Sequence, residues 1–167
     1  MPDHLIFNMG EFEAEFPTDR MYADNHMWAQ SIDDGLIRFG FTAYAVRLLQ
    51  DVYFLDWLLE SPVNLDRKQE IGSIESKKAE SALYSPIAGE LTRFNDQLME
   101  DPSSINVDKY DKGWLFEIRP TQQPTIDAEP ENEDAQQTAL LSAQAYVDLL
   151  DAVWEKTQRT IKGQMNQ

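Results

Sequence analysis

The sequence predicts a mainly β protein with one short internal helix and one longer helix near its C-terminal end. Three observations carry this. Between Met21 and Arg119 the apolar residues come in short runs, rich in aromatic and β-branched side chains and separated by turn formers, which favours strands over long helices. The runs are Leu36 to Thr42, Asp51 to Leu55, Glu70 to Ser76, Ala82 to Ile87, Gly89 to Phe94 and Trp114 to Ile118. Ala43 to Leu49 reads instead as a single helical stretch, with the Thr42 hydroxyl placed to cap its first free N–H groups. Farther on, Tyr146, Leu149, Leu150, Val153, Trp154, Thr157 and Ile161 recur at the spacing of one helix face. An amphipathic helix is therefore expected from about Ser142 to Lys162, packed on the β core or on a partner.

Four segments follow. Residues 1–19 mix acids with Phe7, Phe12 and Phe16 and end at Pro17-Thr18-Asp19, an extension expected to dock against something. Residues 20–120 hold the β domain. Residues 121–138 contain two prolines, five acids, no basic residue and almost nothing apolar. Such a segment cannot bury enough surface to offset the entropy of ordering it, so it reads as an acidic linker. Residues 139–167 hold the C-terminal helix.

Composition excludes several functions. A chain of 167 residues with 42% hydrophobic residues can bury one core and needs no second full domain. Fourteen Lys and Arg against thirty Asp and Glu leave a formal charge of −16, which repels phosphate backbones and argues against nucleic acid as a partner. With no cysteine there is no disulfide, thiolate metal site or thiol nucleophile, so any redox chemistry must arrive on a cofactor. The histidines are His4 and His26, and no Gly-rich phosphate loop is present, so triads, zinc sites and nucleotide cradles lack their parts. No catalytic residue and no metal site is expected. The opening Met1-Pro2-Asp3-His4 lacks the basic and apolar regions of a signal peptide, and no segment approaches the roughly twenty apolar residues of a membrane span. The expectation is a cytoplasmic protein without membrane partners.

One stretch stands out, Gln69 to Phe94. Two strand-like runs, Ile71 to Ser76 and Ala82 to Ile87, flank a short polar segment holding Lys77 and Lys78, with turn signals after Ser85-Pro86 at Ala88-Gly89. This puts a lysine pair at or near a hairpin tip. A covalent swinging arm needs such a place, because a modifying enzyme must grip the lysine without unfolding the domain and the loaded arm must then reach several partners. By spacing alone, an ordinary exposed lysine on a hairpin, which abounds in proteins, is the better reading.

The residues around the pair are more specific. Glu75-Ser76-Lys77-Lys78-Ala79 followed by Leu83-Tyr84-Ser85-Pro86-Ile87-Ala88-Gly89-Glu90 resembles the E-S-x-K-A and L-Y-(S/A)-P-(V/I)-x-G-E run of the glycine cleavage system H-protein family. Upstream, Tyr22 to Trp28 is similar to that family's Y-x-x-x-H-E-W, Phe39 to Ala45 to its V-G-I-T-D-Y-A, and Asp51 to Leu55 to its D-V-V-F-V. Downstream, Asn95, Asp101-Pro102, Ile105-Asn106, Tyr110 and Gly113-Trp114-Leu115-Phe116 stand in the family's order, and Leu140 to Leu150 resembles its closing helix. The resemblance spans about residues 21 to 150.

It implies a lipoyl-type barrel-sandwich hybrid of two antiparallel sheets, and a covalent carrier rather than an enzyme. By the family spacing the lipoate is carried on Lys78, with Glu75, Ser76 and Ala79 as recognition context. Biotinyl carriers flank their lysine with methionines, whereas Lys78 lies between Lys77 and Ala79. Implied partners are a lipoate ligase or lipoyltransferase, glycine decarboxylase, aminomethyltransferase and dihydrolipoamide dehydrogenase, among which the arm shuttles an aminomethyl group. Three positions depart from the pattern. The family's acids in H-E-W and four residues after the lipoyl lysine, which hold the ammonium of the loaded arm, are Met27 and Ala82 here, and the acid of G-I-T-D-Y-A is Ala43. Glu80 is the candidate replacement counter-charge. The same departures suit an H-like lipoate-binding carrier for another pathway such as sulfur oxidation, and a third reading is an unmodified interaction module.

Overall fold

A computed structural model describes residues 3–127 and 132–165, with side chains through residue 155. Residues 128–131 of the expected linker, and the side chains of Thr157, Ile161 and Lys162, lie outside this description. In chain order the elements begin with the hairpin β1 (His4–Met9) and β2 (Phe12–Pro17), then β3 (Met21–Tyr22), β4 (Met27–Ser31), β5 (Ile37–Phe41), α1 (Ala43–Leu49) and β6 (Val52–Trp57). There follow β7 (Val63–Leu65), β8 (Glu70–Ser76), β9 (Glu80–Tyr84), β10 (Gly89–Phe94), the short α2 (Gln97–Glu100) and α3 (Ser104–Val107), and β11 (Phe116–Pro120). The chain continues through β12 (Thr125–Ile126), α4 (Glu133–Gln136), β13 (Ala139–Leu140) and α5 (Ala143–Met165).

The chain is mainly β, and two antiparallel sheets form its centre. One has six strands in the order β3-β4-β5-β11-β10-β7 and the other three, β6-β8-β9. Their inward residues share one apolar core that includes Phe39, Leu55, Ile71, Ile74, Leu91 and Phe116. Alternation decides which side chains enter it. In β8, Ile71, Ile74 and Ser76 are buried while Glu70 is exposed. Met27 belongs to this core at 1% exposure, so the residue in the place of the family's acid is a packing side chain. Next to it Trp28 faces the other way and lies over Gly40, where an added Cβ would sit 2.5 Å from the indole. Only glycine fits there. The buried Glu117 receives Arg38 at 2.7 Å and Arg93 at 2.6 Å, and both guanidiniums lie over the ring of Trp114. Burial pushes its carboxyl up, and the two guanidiniums bring it back below the ordinary glutamate range.

His4–Met9 and Phe12–Pro17 form a hairpin whose own alternation, Phe7 and Met9 on one strand and Ala14 and Phe16 on the other, builds a second apolar cluster with Tyr22, Tyr44, Tyr146 and Leu150. It docks on α1 and α5. Part of residues 121–138 is also structured, which differs from the composition-based reading. Thr125–Ile126 pairs in parallel with Ala139–Leu140, Asn132 caps the turn of α4, and Thr138 is buried. The physical reason is that both ends of the segment find backbone partners on the β unit: Gln137 accepts from the Ala88 N–H at 2.8 Å, and the Thr121 N–H reaches the Ala88 carbonyl at 3.2 Å. Two strand ends shift as well. The run ending at Ile87 stops pairing at Tyr84, before the donor-less Pro86, and the run from Trp114 begins pairing at Phe116.

Candidate functional site

Strands β8 and β9 place Lys77 and Lys78 at the tip of a hairpin, as the turn residues require. Ser76 shapes the tip. Its N–H donates to the Ala79 carbonyl at 2.8 Å, and its buried hydroxyl donates to the same carbonyl at 3.1 Å while accepting from the N–H groups of Ala79 at 3.2 Å and Lys78 at 3.4 Å. The serine thus closes the loop through its side chain. The Lys77 N–H is tied at 2.9 Å to the carbonyl of Asp51, at the start of β6. Lys78 is exposed, as are Lys77, Ala79 and Glu80. A fixed backbone therefore carries an exposed amine between Lys77 and the small Ala79.

Below the tip, the outward face of the three-stranded sheet is set by register. Glu75 lies opposite Glu80, with Phe54 on its other side, and one pair down Ser73 lies between Asp56 and Ala82. Two like charges directly opposite cost a hairpin stability. Here they collect negative potential within reach of the lysine. Glu80 and Ala82 share this face at i and i+2, about 6.5 Å apart along the strand.

Farther down β9, about 13 Å from Glu80 at the strand rise, its far end opens on a cleft of about 390 Å³ lined by Asp24, Asn25, Arg67, Tyr84 and Pro86. Asn25 donates to the Tyr84 carbonyl at 3.1 Å, but its Oδ1 is buried with no partner, and Arg67 bridges to Asp24 at 2.8 Å. An orphaned acceptor beside a carboxylate suits a hydrogen-bond donor, which a dithiolane lacks and the ammonium of an amine-loaded arm would supply. The exposed Lys78 amine on its serine-closed turn fits amide attachment of the group.

The tight turn from β3 to β4 holds the neighbouring His26 at a φ of 67°, with its Nδ1 2.9 Å from the Tyr146 hydroxyl, itself 2.9 Å from the Thr42 hydroxyl. Burial holds the imidazole below its ordinary value of 6.5, so the ring is neutral and Nδ1 can accept from Tyr146. Below 6.5 the unfolded chain binds the proton and the folded chain does not. His26 therefore contributes stability that is full above 6.5 and is lost as pH falls from 6.5 through the folded-state value. Thermal midpoints measured from neutrality down to about pH 5 should fall, and His26→Gln should flatten that fall. An unchanged slope in the variant would assign the acid sensitivity to other groups.

Lys78, Glu75, Ser76, Ala79 and Glu80 are brought together at one tip. Ala82 is exposed on the same hairpin, while Met27 is not at the surface. Asn25, Asp24 and Arg67 were not legible as a cleft, because they come from two loops far apart in sequence. Among the described residues no group of three His, Cys, Asp or Glu side chains could hold a metal, and no helix is long and apolar enough to cross a membrane.

The sequence profile of the glycine cleavage H-protein matches residues 20–152. The chain belongs to the glycine cleavage H-protein family. It is 38% identical over 138 residues to the glycine cleavage system H protein of Edwardsiella ictaluri, covering 83% of this chain and 98% of the relative. To the H protein of Neisseria gonorrhoeae it is 38% identical over 135 residues, 81% and 92% of the two chains. The crystal structure of an H protein from Mycobacterium marinum superposes with a TM-score of 0.64 at 30% identity, covering 80% of this chain and 97% of that one. Proteins of the H-protein family are carrier subunits that hold lipoate. The hairpin of β1 and β2, His4 to Pro17, lies outside the family match.

Proposed function

We propose that Lys78 carries the lipoyl group in amide linkage, and that the chain shuttles an amine-bearing one-carbon unit between the enzymes of the glycine cleavage system. The observation that carries the reading is the serine-closed tip, in which the fourth residue of Glu75-Ser76-Lys77-Lys78-Ala79 is an exposed amine on a fixed backbone. Lipoate, when bound, would supply a dithiolane whose S–S bond can open to take two electrons, or to bond one sulfur to a one-carbon amine while the other becomes a thiol, chemistry a chain without cysteine lacks. The chain's own residues position it. Ser76 holds the loop for the attaching ligase or transferase, Asn25 and Asp24 offer acceptors in the cleft, and Glu75 and Glu80 place negative charge beside the tip.

Peptide mass spectrometry of protein isolated from its native source tests the attachment. Lipoylation at Lys78 is expected, and an unmodified Lys78 in cells using the pathway overturns the reading. The counter-charge is tested separately. Glu80→Gln should shorten the lifetime of the amine-loaded carrier, and Ala82→Asp should lengthen it, each by about twofold to fivefold, the range of an exposed ion pair. Lifetimes unmoved by both changes would remove Glu80 from this role.

A further inference from the structure

The hairpin β1–β2, outside the family match, helps wall a groove beside the arm. At its turn Phe12 packs under the guanidinium of Arg47, 4.4 Å from the ring centroid. From there a groove of about 440 Å³ runs past Val46 and Asn106 to Lys109 and Asp51. The carbonyl of Asp51 holds the Lys77 N–H, so the groove opens at the foot of the loop that presents Lys78. Its wall is fixed: Asn106 donates to the Gln50 carbonyl at 2.6 Å and accepts from the Val52 N–H at 2.9 Å.

Two cations mark the rim of the groove. Arg20, Arg38, Arg67 and Arg93 are each paired with a carboxylate. Arg47 and Lys109 have no carboxylate within 4.0 Å among the described residues, although Lys68, Lys77, Lys78, Lys112 and Arg119 are likewise without one. Ala43, which lines the same groove, stands where the family's G-I-T-D-Y-A run has an acid. Lys77 adds a further cation at the end nearest the arm. Asp51 lines the groove as well, so Arg47 and Lys109, with Lys77 nearby, leave it net positive on an otherwise acidic surface, which together with Phe12 and Val46 favours a negatively charged occupant.

We propose that this groove docks an acidic protein segment, bearing an apolar side chain for the Phe12 and Val46 floor, from an enzyme that the Lys78 arm visits. It rests on the carrier reading above and adds a surface to it. Docking here holds the visiting enzyme beside the tip without using the arm, and the N-terminal hairpin contributes the wall that a chain without it would lack.

The test uses the full-length lipoylated chain as the varied substrate of glycine decarboxylase, aminomethyltransferase and dihydrolipoamide dehydrogenase in turn. For at least one enzyme, the double change Arg47→Glu with Lys109→Glu should raise KM for the carrier about tenfold with kcat within about twofold. Arg47→Lys should stay near the parent. The parent's KM should rise with salt more steeply than the variant's. Arg47→Gln with Lys109→Gln, expected to raise KM about threefold, serves if the reversed pair does not fold. Parent-like KM values with all three enzymes overturn the proposal, and so does an equal rise from Arg119→Glu, whose guanidinium is tied to the Asp34 carbonyl elsewhere. If the parent serves none of the enzymes, the carrier reading fails and this surface falls with it.

Discussion

Lys78→Arg is expected to leave the chain folded, unlipoylated and without carrier function, while Lys77→Arg retains both modification and function. The asymmetry comes from chemistry and from the tip. Arginine keeps the charge and most of the length of lysine, but its guanidinium stays protonated at any working pH and offers no free amine to acylate. Lys77 and Lys78 are adjacent cations on the same exposed loop, yet only the Lys77 N–H is pinned to Asp51, whereas the Lys78 N–H faces the Ser76 hydroxyl. An attaching enzyme that reads the backbone from Glu75 and Ser76 therefore meets Lys78 in a fixed register. Peptide mass spectrometry gives the modified position, and exchange of labelled bicarbonate into glycine with a competent decarboxylase gives the function. Exchange should drop to the level seen without carrier for Lys78→Arg. Lipoylation moved to Lys77, or exchange persisting in Lys78→Arg, would show that the register is not what selects the lysine.

Much of this site was legible because its determinants are local. The helix Ala43–Leu49 and its Thr42 cap, and the strand Glu70–Ser76, coincide with the stretches read from propensity and turn chemistry. Lys78 at a tip followed from two strands and a polar gap. What escaped depends on pairing across distance. The alternation of Phe7 and Met9 with Ala14 and Phe16 about Gly10 is a hairpin signal in itself, but it was masked by the intervening acids. The composition of residues 121–138 is that of a linker, averaged over eighteen positions, while the paired and buried residues sit at its two ends. Whether Met27 is a core side chain or marks a change of cargo is left open by the sequence. Met27 and Trp28 are neighbours, and the turn at His26 decides which of them faces the sheet core.

Tyr146→Ala is expected to destabilise the whole protein by about 3–5 kcal/mol, and Tyr146→Phe by about 1–2 kcal/mol. Tyr146 is fully buried, stacked on Tyr22 with centroids 4.9 Å apart and met edge-on by Phe16 at 5.3 Å. It therefore joins the helix α5, the N-terminal hairpin and the first strand of the large sheet at one point. Alanine removes the ring from between them and leaves a cavity, and it also strips Thr42 and His26 of their shared partner. Phenylalanine keeps the packing and loses only the hydroxyl. Against a total stability of about 5–15 kcal/mol for a domain, the alanine variant should lose a large fraction of its resistance to denaturant. Equilibrium unfolding followed by tryptophan fluorescence and by far-ultraviolet circular dichroism should give one coincident transition, moved to lower denaturant. If hairpin and helix were appendages to an independent β unit, the helical signal would melt first in the alanine variant and the fluorescence of Trp57, which packs on the β core through Phe94 and Phe116, would hold its midpoint. Separated transitions of that kind would overturn the prediction and divide the chain where its composition changes.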